Sequence, residues 1–313
     1  MKKSINVIPE RAIDEIVELA QHAEHLGFDR CWVYDEGLVT RDVYVTMAAI
    51  AAATETLEIG PGITNPYTRH PAQTASAIAS LDEMSAGRAF LGIGAGGSLT
   101  LDPIGLQRTS PLGAVRETIS IARKLFAGGA VDHAGSVATL RSATMTYGRP
   151  DIEIWLAGRG PKMLGLGGEV ADGVMLDFIH KPSLGASIER VRNGGTARIC
   201  YSTAVVTDED DLEFVRPHMT YRLVDAPESV KAAIGLSADD ADRIRSAMAG
   251  GLEAAASFVR DEWIEPFIIR GSGSDCAAEI ADLCAEHDIE EFLLPMFDMP
   301  DQHAYLTRLA RVL

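Results

Sequence analysis

The sequence predicts an α/β fold of the (β/α)8 TIM-barrel type. Eight short apolar runs rich in β-branched residues alternate with segments of helical periodicity along the chain. The length of 313 residues accommodates eight strand and helix units in one domain. An open doubly wound sheet would show the same alternation, and the number of units favours the closed barrel.

Each predicted strand is a short run bounded by glycine, proline or polar residues. The eight runs are residues 4–8, 30–34, 57–63, 89–94, 152–157, 173–178, 197–206 and 291–296. Between them, apolar residues recur with helical spacing at 12–26, 43–54, 71–85, 112–126 and 161–170. In the first of these segments Ile13, Ile16 and Ala20 fall on one face.

Two intervals depart from the repeat and are predicted insertions in a single domain that spans residues 1–313. The first covers about residues 127–149 and contains a strand-like run at 137–140. The second, residues 208–270, is rich in alanine and acidic residues and shows helical spacing at 229–234 and 238–259. We expect the second insertion to add helices over the mouth of the barrel or at a contact between subunits.

The charge balance limits the partners of the chain. With 28 basic and 45 acidic residues its formal net charge is -17, which disfavours nucleic acid and anionic membranes. Four cysteines and eight histidines lack the paired spacing of a metal site or a disulfide scaffold. Because no signal segment or span of about 20 apolar residues is present, we expect a cytoplasmic protein with reduced thiols and no metal.

Functional residues of such barrels follow the strands at their carboxyl ends. The second strand ends in Asp35 and Glu36, and one carboxyl group of such a pair can accept a hydrogen bond or carry a proton. The alternative is a solvated loop that caps the helix near Asp42.

Glycines follow the third and fourth strands, where main chain without side chains lets a flat ring approach closely. The third strand runs into Gly60-Pro-Gly-Ile-Thr-Asn65, a sequence that favours a bulge. The fourth ends in Gly92-Ile-Gly-Ala-Gly-Gly97, which lacks the G-x-G-x-x-G spacing of a dinucleotide site. We therefore predict contact with a planar ring and not a nicotinamide dinucleotide.

The turn after the fifth strand is the predicted phosphate site. Its sequence is Ala157-Gly-Arg-Gly-Pro161, with the proline placed for the first turn of a helix. Free amides and the positive end of the helix dipole favour an anion there, and Arg159 or Lys162 can add charge. A plain strand-to-helix turn is the alternative.

Several motifs in a fixed order span most of the chain. They are AEHLGFD at 23–29, WVYDE at 32–36, GPGITNPYTR at 60–69, LDEMSAGR at 81–88, LGIG at 91–94, AGRGPKM at 157–163 and GEVADG at 168–173. Together they resemble the bacterial-luciferase-like superfamily, and within it the deazaflavin-dependent reductases related to methylenetetrahydromethanopterin reductase.

The resemblance implies that coenzyme F420 binds at the carboxyl face of the barrel, with a non-proline cis peptide, by position Gly62–Ile63, behind its ring. The implied cofactor-binding residues are Gly62, Ile63, Thr64, Asn65, Gly94, Ala95, Gly96, Gly97, Ala157, Gly158, Arg159, Gly160 and Pro161. The implied reaction is hydride transfer between the reduced deazaflavin and the C=N carbon of a methylene-tetrahydropterin or methylene-tetrahydrofolate. A carboxyl group moves the proton, and the candidates are Asp35, Glu36 and Glu10.

Candidate substrate-binding residues are Asn6, Arg69 and His70, although His70 alternatively begins the third helix. Where the resemblance implies acidic residues in the first strand and after the glycines of the fourth, this chain has Asn6 and Gly97, and neither carries a proton. The hydride acceptor therefore stays open between a pterin, a folate and another imine or carbonyl compound. The alternatives are an FMN-dependent luciferase-like monooxygenase, an F420-dependent alcohol or carbonyl oxidoreductase, and a cofactor-free barrel. The resemblance also implies a homodimer or a larger homo-oligomer.

Overall fold

Strands and helices alternate along the chain as the sequence predicts. The computed structural model describes residues 1–313. Its strands, in chain order, are β1 (Lys2–Val7), β2 (Arg30–Val33), β3 (Glu58–Pro61), β4 (Leu91–Ile93), β5 (Ala130–Ala134), β6 (Thr139–Thr144), β7 (Ile154–Ala157), β8 (Gly173–Asp177), β9 (Arg198–Ser202), β10 (Val205–Val206), β11 (Ile269–Arg270) and β12 (Glu291–Met296).

Eight of these strands form one parallel sheet in the order β3-β2-β1-β12-β9-β8-β7-β4. Bridges between Ile59 and Ala89 and between Thr64 and Ile93 join β3 to β4, so the sheet closes on itself. Parallel neighbours need a crossover on the outside of the sheet, which the intervening helices provide. The prediction of a (β/α)8 barrel is confirmed.

Helices surround the barrel and cover its carboxyl end. They are α1 (Ile13–His25), α2 (Val43–Ala53), α3 (Pro71–Met84), α4 (Ser98–Leu101), α5 (Pro111–Phe126), α6 (Pro161–Val170), α7 (Leu184–Gly194), α8 (Glu209–Val224), α9 (Glu228–Ala233), α10 (Ala238–Ala247), α11 (Leu252–Ala256), α12 (Asp261–Ile264), α13 (Gly273–His287) and α14 (Gln302–Leu309). In α1 the buried residues Ile16, Leu19 and Ala23 recur at spacings of three and four, so one face packs on the barrel.

Two segments lie outside the strand and helix repeat. β5 and β6 pair as an antiparallel hairpin after α5. Residues 205–270 contain β10, helices α8 to α12 and β11, and β10 pairs with β11 in a separate small sheet. The prediction of one strand over 197–206 is therefore wrong: β9 ends at Ser202 and β10 has a different partner. The helical run expected at 238–259 is also interrupted, because Gly251 adopts a φ of 101°, which no helix allows.

The amino-terminal end of the barrel is filled by a buried charged and aromatic cluster. Arg30 is 1% exposed and lies 4.5 Å from the centre of the Phe90 ring. Its guanidinium group donates to Glu291 at 3.0 Å and to Glu153 at 2.8 Å. These groups pack the amino-terminal end of the barrel interior.

No helix combines the length and the apolar composition that crossing a membrane requires.

Candidate active site

A cavity of about 670 Å³ opens at the carboxyl ends of the barrel strands. Residues from the ends of β1, β2, β4, β7 and β8 and from the segment after β3 line it, together with residues of α8 and α10. The sequence-predicted residues among them are Asn6, Asp35, Glu36, Gly62, Ile63, Asn65, Ala95, Gly96, Gly97, Ala157, Gly158, Arg159 and Gly160. The closed barrel brings these distant parts of the chain to one place.

The segment after β3 presents main chain to the cavity. The Gly62–Ile63 peptide is cis, as the resemblance implies. A Cβ atom on Gly62 would stand 2.6 Å from the Cβ of Trp32, so only glycine fits there. Asn6 Nδ2 donates to the Gly62 carbonyl at 3.1 Å, while Asn6 Oδ1 is buried without a partner. Asn6 therefore stabilises the main-chain bend after β3, and its Oδ1 atom remains an unpaired acceptor at the cavity.

The turn after β4 also contributes bare main chain. Gly96 has a φ of 74°, a conformation that favours glycine, and nothing lies within 4 Å of where a Cβ on Gly97 would stand. Gly94 does not line the cavity, because a Cβ there would lie 2.1 Å from Ile63 Cδ1. Gly94 thus lets β4 pack closely against the bend, and the two residues after Ala95 form the open edge.

Asp35 and Glu36, which follow β2, differ in how they are held. Thr64 Oγ1 donates to Asp35 Oδ2 at 2.6 Å, so Thr64 acts from behind the cavity wall. Burial raises the pKa of Asp35, and the bond from Thr64 opposes that shift. Burial also raises the pKa of Glu36, against the positive charge of Arg222, and no hydrogen bond holds its carboxyl group. Glu36 is therefore the carboxyl group that is free to meet a ligand and suited to hold a proton.

The start of α6 offers amide groups to an anion. The amides of Met163 and Leu164 both donate to the Gly160 carbonyl at 3.0 Å, and the amides before them have no acceptor inside the helix. Arg159 is exposed at the cavity, and a Cβ on Gly160 would meet no atom within 4 Å. Pro161 forms the first turn and does not line the cavity. Open space, amides and a cation together suit a phosphate group.

Residues from the second insertion complete the cavity, and sequence reasoning missed all of them. Tyr221 and Arg222 of α8 and Arg245 of α10 line it. Burial raises the pKa of Tyr221 to about 12, so its phenol remains a hydrogen-bond donor. No motif marks these positions in the sequence.

Asp177 at the end of β8 was also missed, and its place after a predicted strand is the signal that identifies it. Its Oδ2 atom lies 3.0 Å from Arg222 Nη2, and Arg222 is 3% exposed. The cavity therefore contains an ion pair with a buried arginine, in addition to the two carboxyl groups that follow β2.

Besides Thr64, Gly94 and Pro161, three more predicted residues lie outside the cavity. Glu10 is exposed, although partial burial of its carboxyl group raises the pKa. The guanidinium group of Arg69 stacks 4.4 Å from the centre of the Tyr44 ring. His70 precedes α3, and its Nδ1 atom accepts the amide of Ala72 at 3.2 Å. His70 thus caps the helix, as its alternative interpretation states.

A closed (β/α)8 barrel with a cavity at the carboxyl ends of its strands, lined partly by main chain, is typical of (β/α)8-barrel enzymes. Residues 3–287 match the family model described as luciferase-like monooxygenase, and the chain belongs to this family. The resemblance stated from the sequence is confirmed.

Similar proteins include two archaeal reductases. The chain is 33% identical over 299 residues to the 5,10-methylenetetrahydromethanopterin reductase of Archaeoglobus fulgidus, over 90% of each chain. It is 32% identical over 300 residues to the enzyme of the same name from Methanolobus tindarius, again over 90% of each. The solved structure of the coenzyme F420 dependent tetrahydromethanopterin reductase from Methanopyrus kandleri matches with a TM-score of 0.88 at 25% identity, over 99% of this chain and 97% of that chain.

Proposed function

We propose that this chain is an F420-dependent oxidoreductase that transfers a hydride between reduced deazaflavin and the C=N carbon of a methylene-tetrahydropterin. The observation that carries the proposal is the similarity to named methylenetetrahydromethanopterin reductases along 90% of the chain. The solved structure reported above, which matches with a TM-score of 0.88, is also that of an enzyme named as coenzyme F420 dependent.

The cavity fits a flat ring with polar edges. Asn6 Oδ1 and Arg222 Nε are buried without hydrogen-bond partners, and both residues line the cavity. Buried polar atoms left unpaired are costly, so a ligand that offers an N–H group and an oxygen would satisfy both. The rings of a deazaflavin and of a reduced pterin carry such groups. The bare main chain at Gly62, Gly96 and Gly97 leaves room for the ring itself.

The anionic tail of F420 has a place at the start of α6. The segment from Gly158 to Gly160 presents amides toward the cavity, and Arg159 adds a positive charge. Although the net charge of the chain is -17, Arg159 places a positive charge beside the start of α6, where it favours a phosphate group.

When bound, the reduced cofactor supplies the hydride. The accepting carbon forms a C–H bond and releases one substrate nitrogen, which keeps the electron pair of the broken C–N bond and takes a proton. The chain must therefore present an acid near that nitrogen. Glu36 suits this role because burial raises its pKa and no hydrogen bond restrains its carboxyl group. Asp35, held by Thr64, orients the loop and accepts hydrogen bonds.

Asn6 and Gly97 support the same assignment. Neither side chain can donate a proton as an acid, and the Asp177 carboxyl group is paired with Arg222, so we assign proton movement to the residues after β2.

The proposal is tested by titrating the purified protein with F420 and, separately, with FMN, followed by calorimetry. Reduced F420 is then mixed with methylene-tetrahydromethanopterin or methylene-tetrahydrofolate, and its oxidation is followed by absorbance. We expect F420 but not FMN to bind, and one of the two substrates to be reduced. Binding of FMN with oxygen consumption would instead support the monooxygenase alternative, and binding of neither cofactor would refute the proposal.

Assembly into a homodimer or larger oligomer and a cytoplasmic location stay predictions. Light scattering of the purified protein measures the first directly, through the molar mass relative to the 33.5 kDa chain.

A further inference from the structure

An ion pair between buried Arg222 and half-buried Asp177 lies on the wall of the cavity that Glu36 also lines. Arg222 Nη2 is 3.0 Å from Asp177 Oδ2, and Nη1 donates to the His218 carbonyl at 2.7 Å. Ser202 Oγ donates to the other oxygen of Asp177 at 2.9 Å. Both ions are therefore fixed in orientation by hydrogen bonds from two strands and a helix.

Stability alone explains this pair poorly. Arg222 packs with its guanidinium carbon 4.0 Å from the centre of the Phe178 ring, yet its Nε atom has no partner. Ion pairs contribute little net stability whether they are exposed or buried, and a buried arginine with a purely structural role is expected to have its donors satisfied. The incomplete bonding of Arg222 at a cavity wall points to a role in the site.

Glu36 and Arg222 line the same cavity, together with Asp35, Asp177 and Tyr221. Burial raises the pKa of Glu36, the charge of Arg222 lowers it, and three carboxyl groups raise it: Glu10, Asp177 and Asp35. The other titratable groups beside it are phenols that burial keeps protonated, Tyr34 and Tyr221. Arg222 and Asp177 therefore act on the Glu36 carboxyl group with opposite signs.

We propose that Arg222 is a positioning residue for proton transfer, which stabilises the Glu36 carboxylate left after Glu36 gives its proton to the substrate nitrogen. This inference rests on the proposed function. In that step the O–H bond of Glu36 breaks, an N–H bond forms, and the electron pair of the O–H bond stays on the carboxylate. A fixed cation lowers the free energy of that product, so Glu36 is a stronger acid with Arg222 than without it.

Two variants that break the same ion pair test the proposal, because they should shift the pKa of Glu36 in opposite directions. Arg222→Met removes the cation and should raise the pKa of Glu36. Asp177→Asn removes an anion and should lower it. Arg222→Lys keeps the charge and should restore most of the wild-type value. The matched control is Arg216→Met, which removes an arginine of the same helix that pairs with Asp261 outside the cavity.

The first readout needs no cofactor. Glutamate carboxyl groups are labelled with ¹³C and titrated by NMR, and the Glu36 signal is the one absent from Glu36→Gln. The second readout is the pH dependence of kcat for oxidation of reduced F420. Because Glu36 acts as an acid, the rate should fall as pH rises through its pKa. This fall should occur at higher pH in Arg222→Met and at lower pH in Asp177→Asn.

The two proposals fail separately. Opposite shifts of the Glu36 signal support the role of Arg222 even if the protein never oxidises reduced F420, a result that overturns the proposed function alone. F420 turnover with a Glu36 signal that stays in place, or moves the same way in both variants, overturns the role of Arg222 alone. If Arg222→Met does not fold, Arg222→Gln takes its place, because it removes the charge and keeps hydrogen-bonding groups. A Glu36 pKa that is unchanged or lowered in that variant contradicts the proposal.

Discussion

Replacing Gly160 by alanine should weaken F420 binding while the protein stays folded. Gly160 is the N-cap of α6 with φ -77° and ψ 144°, a conformation that any L-residue adopts. A Cβ there meets no atom within 4 Å. The cost to stability is therefore limited to the N-cap preference for glycine over alanine, about 0.5–1 kcal/mol.

The cost to binding is larger, because the new methyl group occupies the open space before the helix amides. An anion displaced from that space loses at least one charge-assisted hydrogen bond, which costs about 1.5–3 kcal/mol. At about 1.4 kcal/mol for each factor of ten, the Kd for F420 should rise about 10- to 100-fold.

Calorimetric titration with F420 measures this effect, and thermal unfolding checks the fold. The matched control is Gly165→Ala in the same helix, where a Cβ would lie 4.0 Å from the Arg190 carbonyl and away from the cavity. Gly165→Ala should leave the Kd at its wild-type value. An unchanged Kd in Gly160→Ala would show that the start of α6 does not hold the anionic tail, and would refute the reasoning.

Three further outcomes are expected. Glu36→Gln should lower kcat by about 10²- to 10⁴-fold and leave the Kd for F420 unchanged, and Asp35→Asn should lower kcat less. Steady-state kinetics measure kcat and titration measures the Kd, and equal losses of kcat in both variants would contradict the assignment of Glu36 as the acid. Gly92→Ala would place a Cβ 2.0 Å from a main-chain oxygen of β3, so its melting temperature should fall sharply, and a wild-type value would show that the barrel relaxes there. Burial raises the pKa of the Glu153 carboxyl group, but the charge of Arg30 outweighs burial, and the pKa falls from 4.5 to about 2. The ion pair of Glu153 with Arg30 therefore stabilises the fold fully above the pKa of glutamate in the unfolded chain, and this stabilisation is lost as pH falls toward 2. Urea unfolding from pH 5 to 2 should therefore show a shallower loss in Glu153→Gln than in wild type, and equal slopes would exclude this ion pair as a cause.

The bends at the strand ends could be read from the sequence because they depend on local backbone chemistry. The φ of 74° at Gly96 and the contact of Gly62 with Trp32 exclude side chains at those positions. A pattern of glycines directly after apolar runs therefore predicts bare main chain at a barrel mouth. The same pattern also predicted that Gly94 faces the cavity, but Gly94 packs against Ile63 instead.

Strand ends were less predictable where a distant partner decides them. Residues 197–206 are one apolar run, but Val205 pairs with Ile269 in a second sheet. Thr203 between the two strands donates to the carbonyl of Phe267. The change of partner depends on residues more than 60 positions away, as the 64-residue separation of that bond shows, and no local pattern contains it.

By itself the sequence determined the alternation of strands and helices, the closed barrel and the positions of its main-chain corners, because these follow from periodicity and from conformations that only glycine adopts. Only the tertiary structure decided which charges meet in the cavity. Arg222 lies in an acidic, alanine-rich stretch where an arginine is normally a surface residue, and Asp177 lies 45 positions before it. The fold buries Arg222 and leaves the Asp177 side chain 26% exposed at the mouth of the barrel. Their meeting in the cavity that Glu36 also lines depends on packing that no single segment encodes.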